Sequence, residues 1–205
     1  MEIVNHFGPA MVKFTADSHI IDVLNHYADH VLENEGLLKG LDYTENLSSA
    51  VHGSFKIKVG FLKEVEKYLL QSATEYLEKF ASHLKDDHTF EIQSMWFVSQ
   101  KEGSWSYLHD HVCDLAGIIY LKVPQDPAYG LSPGDPRANF PGGISFTQGT
   151  PGIFHNATAI IKPKVAAFYL FPASLLHTVY PFFGPEERRS FSFNMKLVKK
   201  NKTGN

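Results

Sequence analysis

With a single cysteine, Cys113, among its 205 residues the chain cannot close an internal disulfide, which points to a reducing compartment. No segment approaches the ~18 consecutive apolar residues of a membrane-spanning helix. Met1 to Phe14 also lacks the basic-then-apolar order of a secretion signal. Positive charge is scarce: the formal net charge is −3, and the one lysine-rich run, Lys196 to Lys202, is short and terminal. That leaves no basic face for nucleic acid. These absences lead to the expectation of a soluble, cytoplasmic protein with neither membrane nor nucleic acid as partner.

What the chain does hold is aromatic core material, 16 Phe and 9 Tyr in a composition 43% apolar and 20% charged. That is ordinary for a folded domain of this length, and one domain over 1–205 is expected. From Asp17 to Glu35, Ile20, Ile21, Leu24, Tyr27, Ala28 and Val31 recur at three- and four-residue spacing with Asp22, Asn25, Asp29 and Glu33 opposite, which predicts an amphipathic helix. A second such stripe runs from Phe61 to Leu84. Between them, Asp42 to Lys58 has no sustained period and predicts a loop with an edge strand near Ser54–Val59.

After Asp87 the period changes. Phe90–Val98, Leu115–Val123, Ile144–Thr147, Ala157–Ile161, Val165–Phe171 and Phe191–Val198 are short β-favouring runs separated by Gly, Pro, Asn or Asp. Such a series without intervening helices predicts a mainly β fold, a sandwich or jelly-roll over 88–200, with 1–87 as a helical layer carrying edge strands. Pro124 to Gly143 contains five of the eleven prolines and four glycines, and is expected to be a long irregular connection.

The most informative residues are His109-Asp110-His111, just ahead of the β run at Leu115. In extended chain, residues i and i+2 share a face, so both imidazoles can converge on one ion while Asp110 points away. His177, at the end of another apolar run, is the candidate third ligand. Three neutral imidazoles would leave the ion its full charge and open positions, which suits Fe(II) with a bidentate cosubstrate and O₂. Arg188 to Asn194 then alternates, with Arg188, Ser190, Ser192 and Asn194 on one face and Arg189, Phe191 and Phe193 on the other. A guanidinium and two hydroxyls on one face suit a bound carboxylate.

Together, His109-x-His111, Gly117 to Leu121, the run from Phe171-Pro172 into His177 to Pro181, and Arg188 to Asn194 resemble the 2-oxoglutarate/Fe(II) oxygenase superfamily, and in particular its prolyl-hydroxylase-like branch. The resemblance implies a double-stranded β-helix, the cupin-like form of jelly-roll, with metal at one end. It implies that His109 and His177 bind iron and that Arg188 pairs with the distal carboxylate of 2-oxoglutarate. Ser190 and Ser192 would assist, Tyr120 would offer its hydroxyl to the same carboxylate, and Asn194 would stand near the metal end. Oxidation of a small-molecule or peptide substrate with O₂ follows from the same likeness. Members usually carry a carboxylate two residues after the first histidine, where this chain has His111. Either His111 serves, or Asp114 replaces the missing group; parity favours His111, since Asp114 is five residues from His109.

Two rivals follow. A cupin-type enzyme would use the three histidines without 2-oxoglutarate, and a non-catalytic jelly-roll would bind no metal. Other features have plainer readings: His26 and His30 as surface histidines, His155 as a loop residue within reach of a site, Arg137 as a surface arginine, Trp96 and Trp105 as packing residues, and Cys113 as a packed thiol. Oligomeric state, including a homodimer, is left open.

Overall fold

The computed structural model describes residues 8–43, 53–154 and 156–200. His155 lies outside the described residues. Among these, nine strands and three α-helices follow the order β1 (Val12–Thr15), α1 (Ser18–Leu32), α2 (Glu35–Leu41), β2 (Ser54–Ile57), α3 (Lys63–Phe80), β3 (His88–Gln100), β4 (Leu115–Lys122), β5 (Ile144–Thr147), β6 (Thr158–Ile161), β7 (Ala167–Pro172), β8 (Leu176–Val179) and β9 (Arg188–Lys199). The long apolar period from Asp17 breaks after Leu32. Asn34 then starts a separate short helix, its side chain accepting from the Gly36 and Leu37 amides, because Asn satisfies N-terminal donors better than it continues a helix.

The strands form a six-stranded sheet in the order β1-β7-β4-β9-β3-β2 and a three-stranded sheet in the order β6-β5-β8, with antiparallel neighbours throughout. Both edge strands of the large sheet come from the helical half: β1 pairs with β7, and β2 with β3. β1 and β8 have no isolated sequence signal, since four residues beside Pro, Gly or His show too little alternation to stand out.

Each central strand divides its side chains between two cores. Leu115, Ile119 and Leu121 of β4, Phe168 and Leu170 of β7, and Phe191, Phe193 and Met195 of β9 pack under Ile20, Leu24, Ala28 and Val31 of α1 and Val65, Leu69 and Ala73 of α3. Fully burying each such side chain is worth roughly 1.5–3 kcal/mol, and this layer holds the helices on the sheet. The opposite faces, Ala116, Ile118 and Tyr120 with Tyr169 and Phe171, meet Ile144 and Phe146 of the small sheet.

Strand β3 changes face partway. Its register against β9 shifts between Ile92 and Ser94, so Phe90 and Ile92 before the shift and Met95 and Phe97 after it all face the helices. Such a bulge reverses parity, and it turns Trp96, Val98 and Gln100 toward the interior. Behind β9, Arg189 is 1% exposed and binds Glu187 through both Nε (2.7 Å) and Nη2 (2.9 Å), with Asp29 of α1 at 2.8 Å. That cluster ties the first turn of β9 to α1.

Candidate active site

The loop before β4 runs against the start of β8, and this places the histidines. His109 and His177 form an antiparallel bridge with reciprocal backbone bonds of 3.0 and 2.9 Å, and the His111 amide donates to the Ala173 carbonyl. Extended chain at 109–111 then sends both rings the same way. The three side chains offer ligand nitrogens all within 4.8 Å of one another, the one such cluster of His, Cys, Asp or Glu among the described residues.

The nitrogens are prepared for a metal in the way metal-binding histidines usually are. His109 Nδ1 donates to the Tyr107 carbonyl at 2.7 Å and His177 Nδ1 to the Leu175 carbonyl at 2.9 Å, each two residues back, so each Nε2 keeps its lone pair. His111 Nε2 lies 3.2 Å from His177 Nε2. Two nitrogens bound at about 2.1 Å and at right angles to one ion stand about 3.0 Å apart, close to that separation. Burial, and then the neighbouring rings, push His111 down to about 3; burial pushes His177 down to about 4. Both imidazoles are therefore neutral at physiological pH, the form that coordinates. The donor set fits iron.

Asp114 is elsewhere. Its Oδ2 accepts from the Leu197 amide at 2.8 Å and its Oδ1 pairs with Lys196 at 3.1 Å, so it is spent on the end of β9. Asp110, expected to point away, is exposed but stands on the cavity wall beside the histidines.

The histidines open into a cavity of about 350 Å³ whose far wall is β9. Arg188, Ser190, Ser192 and Asn194 all line it, as the alternation predicts. Arg188 is 1% exposed. Its Nη1 donates to Gln100 Oε1, and its guanidinium lies 5.1 Å from the centre of the Tyr120 ring. Nε and Nη2 make no hydrogen bond of good geometry within the protein, and the buried Tyr120 hydroxyl stands against the guanidinium without completing one. Tyr120 is fully buried behind Arg188 and is not itself on the cavity wall. Burial raises the Tyr120 phenol, which therefore stays protonated as a donor. The Asn194 Oδ1 is likewise buried and unpartnered.

A buried cation with a free two-donor edge is costly unless an anion completes it. The neighbouring arginine shows the missing geometry, since Arg189 grips Glu187 with the same Nε/Nη2 edge. Gly142 packs against Arg188: a Cβ there would lie 3.5 Å from Arg188 Cδ and 3.4 Å from Phe182 Cβ, and its φ is +67°. The Pro- and Gly-rich connection thus covers the arginine's stem.

Several residues of the site carry no signal that single-sequence reading picks up. Trp96, read from the sequence as packing, stands on the wall with its ring 6.0 Å from that of His111. Gln100 and Val98 share its face, and the bulge in β3 is what turns that face to the cavity. Tyr43 reaches the cavity from an irregular segment, its ring tilted against that of Trp96 at 6.1 Å. The other candidates stay outside: His26 and His30 are exposed on α1, Arg137 is paired with Asp135 at 2.6 Å, and Trp105 is off the wall. Cys113 donates to the Leu115 carbonyl, and burial pushes its thiol up to about 11.

Comparison with known proteins agrees with this arrangement. A family model described as 2OG-Fe(II) oxygenase matches residues 94–194, a span that includes all three histidines and the Arg188 strand through Asn194. No curated protein sequence matches. Among solved structures, a Pseudomonas putida prolyl-4-hydroxylase superposes with a TM-score of 0.60 at 14% identity, over 96% of this chain and 95% of the other. The viral collagen prolyl hydroxylase of Paramecium bursaria Chlorella virus-1, in its 2-oxoglutarate complex, gives 0.58 at 19% identity, over 90% and 94%. HygX from Streptomyces hygroscopicus, with nickel and 2-oxoglutarate bound, gives 0.56 at 9% identity, over 92% and 82%. At these identities the likeness is one of fold, the double-stranded β-helix, and among the described residues no helix is long and apolar enough to cross a membrane. Sequence family, fold and an iron-compatible histidine cluster converge: the chain belongs to the 2-oxoglutarate- and Fe(II)-dependent oxygenases, with prolyl-hydroxylase-like enzymes as its structural neighbours.

Proposed function

We propose that the enzyme is a hydroxylase in which His109, His111 and His177 hold Fe(II) and Arg188 anchors the distal carboxylate of 2-oxoglutarate. The observation that carries this reading is the Arg188 guanidinium, buried in the histidines' own cavity with its Nε and Nη2 unpartnered. A cupin-type enzyme that does not use 2-oxoglutarate gives that buried charge no purpose.

When bound, the metal supplies oxidative chemistry: 2-oxoglutarate and O₂ yield succinate and CO₂, and one oxygen atom enters a C–H bond of the substrate as hydroxyl. The chain's own part is to bind and orient. Backbone carbonyls of Tyr107 and Leu175 hold two imidazoles in the coordinating tautomer. Arg188, assisted by Ser190 and by the Tyr120 hydroxyl beside it, neutralises the far carboxylate and so sets which end of the oxoacid reaches the histidines. Ser192 and Asn194 continue that face as polar contacts. Ile144, Phe171 and Val179 form apolar walls that keep bulk water from the reacting centre.

For the oxidised substrate we favour a small molecule or a peptide side chain admitted at the rim formed by Tyr43, Trp96, Asp110 and Val112. A single cysteine, with no second to pair with in the chain, supports a cytoplasmic setting.

Anaerobic addition of Fe(II) and then 2-oxoglutarate tests the assignment. A visible charge-transfer band should develop only after the oxoacid is added. Absence of that band in the wild-type protein, with iron bound, would return the site to the cupin-type reading.

A further inference from the structure

We infer that Gln100 is a positioning residue for 2-oxoglutarate, holding the Arg188 guanidinium so that its Nε/Nη2 edge meets the ligand's distal carboxylate. The inference rests on the reading of Arg188 given above and adds a residue that the sequence did not single out.

Gln100 and Arg188 are register partners on β3 and β9 and are 2% and 1% exposed. Gln100 Oε1 accepts from Arg188 Nη1. A guanidinium can be held at its N–H edges and on its flat faces, and here one donor nitrogen and one face are engaged. The amide occupies Nη1, and the Tyr120 ring lies against the guanidinium 5.1 Å away. Gly142 closes over the stem. What is left is the Nε/Nη2 edge, which makes no hydrogen bond of good geometry within the protein, the Tyr120 hydroxyl standing beside it.

The residue type at 100 matters. A carboxylate there would form an ion pair with Arg188 and cancel the charge that an anionic cosubstrate needs. An apolar side chain would leave Nη1 without an acceptor and the guanidinium free to turn. A neutral amide oxygen orients the cation without neutralising it. The bulge between Ile92 and Ser94 is what brings Gln100 to the interior, so the bulge and the arginine's orientation belong to one device.

The test uses Zn(II)-loaded protein, which binds without turnover, titrated calorimetrically with 2-oxoglutarate and separately with oxalate. Oxalate chelates a metal but is too short to reach Arg188, so it reports the metal end alone. In Q100M, chosen to preserve volume, 2-oxoglutarate should bind about 10- to 100-fold more weakly, the worth of one hydrogen bond to a charged group, while oxalate is unchanged. In Q100E the loss should be larger, again without effect on oxalate. Melting curves of the same samples show whether each variant folds; Q100M carries the test if Q100E does not. Wild-type affinity for 2-oxoglutarate in both variants, or equal loss of 2-oxoglutarate and oxalate, overturns the role of Gln100. A wild-type protein that binds oxalate but not 2-oxoglutarate overturns the reading of Arg188 instead, and this inference with it.

Discussion

Replacing Arg188 by Met should move ligand affinity and fold stability in opposite directions. The guanidinium presents two unpartnered donors, Nε and Nη2, to the cavity. Hydrogen bonds to charged groups contribute about 1.5–3 kcal/mol each, so removing both should cost about 3–6 kcal/mol of 2-oxoglutarate binding. That corresponds to a Kd raised roughly 10²- to 10⁴-fold. In the ligand-free protein the same substitution removes a buried cation that has no counter-ion, a charge whose desolvation costs several kcal/mol even after relaxation. Gln100 Oε1 loses its donor in exchange, at about 1–3 kcal/mol. The net should be a gain on the order of 1–3 kcal/mol, or about 2–4 °C in Tm for each kcal/mol in a chain of this size. Calorimetric titration with 2-oxoglutarate and a thermal melt of the metal-free protein measure the two halves. A melting temperature that falls by many degrees in R188M would refute the reasoning, because it would mean that Arg188 holds the fold together rather than awaiting a ligand.

Alanine at His109, His111 or His177 should each abolish stoichiometric Fe(II) binding, whereas Asp114→Asn should keep it, since that carboxylate is engaged by Lys196 and the Leu197 amide; metal analysis after gel filtration decides. Burial raises the Glu187 and Asp29 carboxyls, but Arg189 and Lys122, joined at Glu187 by the Ser99 hydroxyl, together outweigh it and both end below their ordinary values. A carboxyl whose folded pKa is depressed stabilises the fold above its unfolded pKa and loses that contribution as pH falls through the folded one. The melting temperature should therefore drop on acidification below the ordinary carboxylate range, and Glu187→Gln should flatten that drop. Gly142→Ala places a Cβ at a φ of +67° against Arg188 and Phe182, and should lower stability by about 1 kcal/mol while weakening 2-oxoglutarate more than oxalate.

How far the site could be read in advance depended on parity. Strand β9 is regular from Arg188 to Asn194, so alternation alone places Arg188, Ser190, Ser192 and Asn194 together. His109 and His111 sit in extended chain, and the same argument aligns them. Strand β3 looks equally regular in sequence, yet its bulge reverses the face after Ile92, and that reversal brings Trp96, read as a packing residue, and Gln100, not singled out, to the cavity wall. Asp110 shows the opposite limit: alternation sends it away from the histidines, but it borders the cavity at the exposed rim, where the chain is no longer part of a ladder.

By itself the amino-acid sequence determined the mainly β character, the two long helices, the family likeness, and which polar residues share a strand face, because these follow from local periodicity and short motifs. Only the tertiary structure decided that His177 closes the cluster, that Asp114 is spent on Lys196, that the helical half also supplies strand β1, and that Arg188 is held by Gln100. Those outcomes depend on register between strands far apart in the chain and on one bulge, and neither is written in the pattern of any single segment.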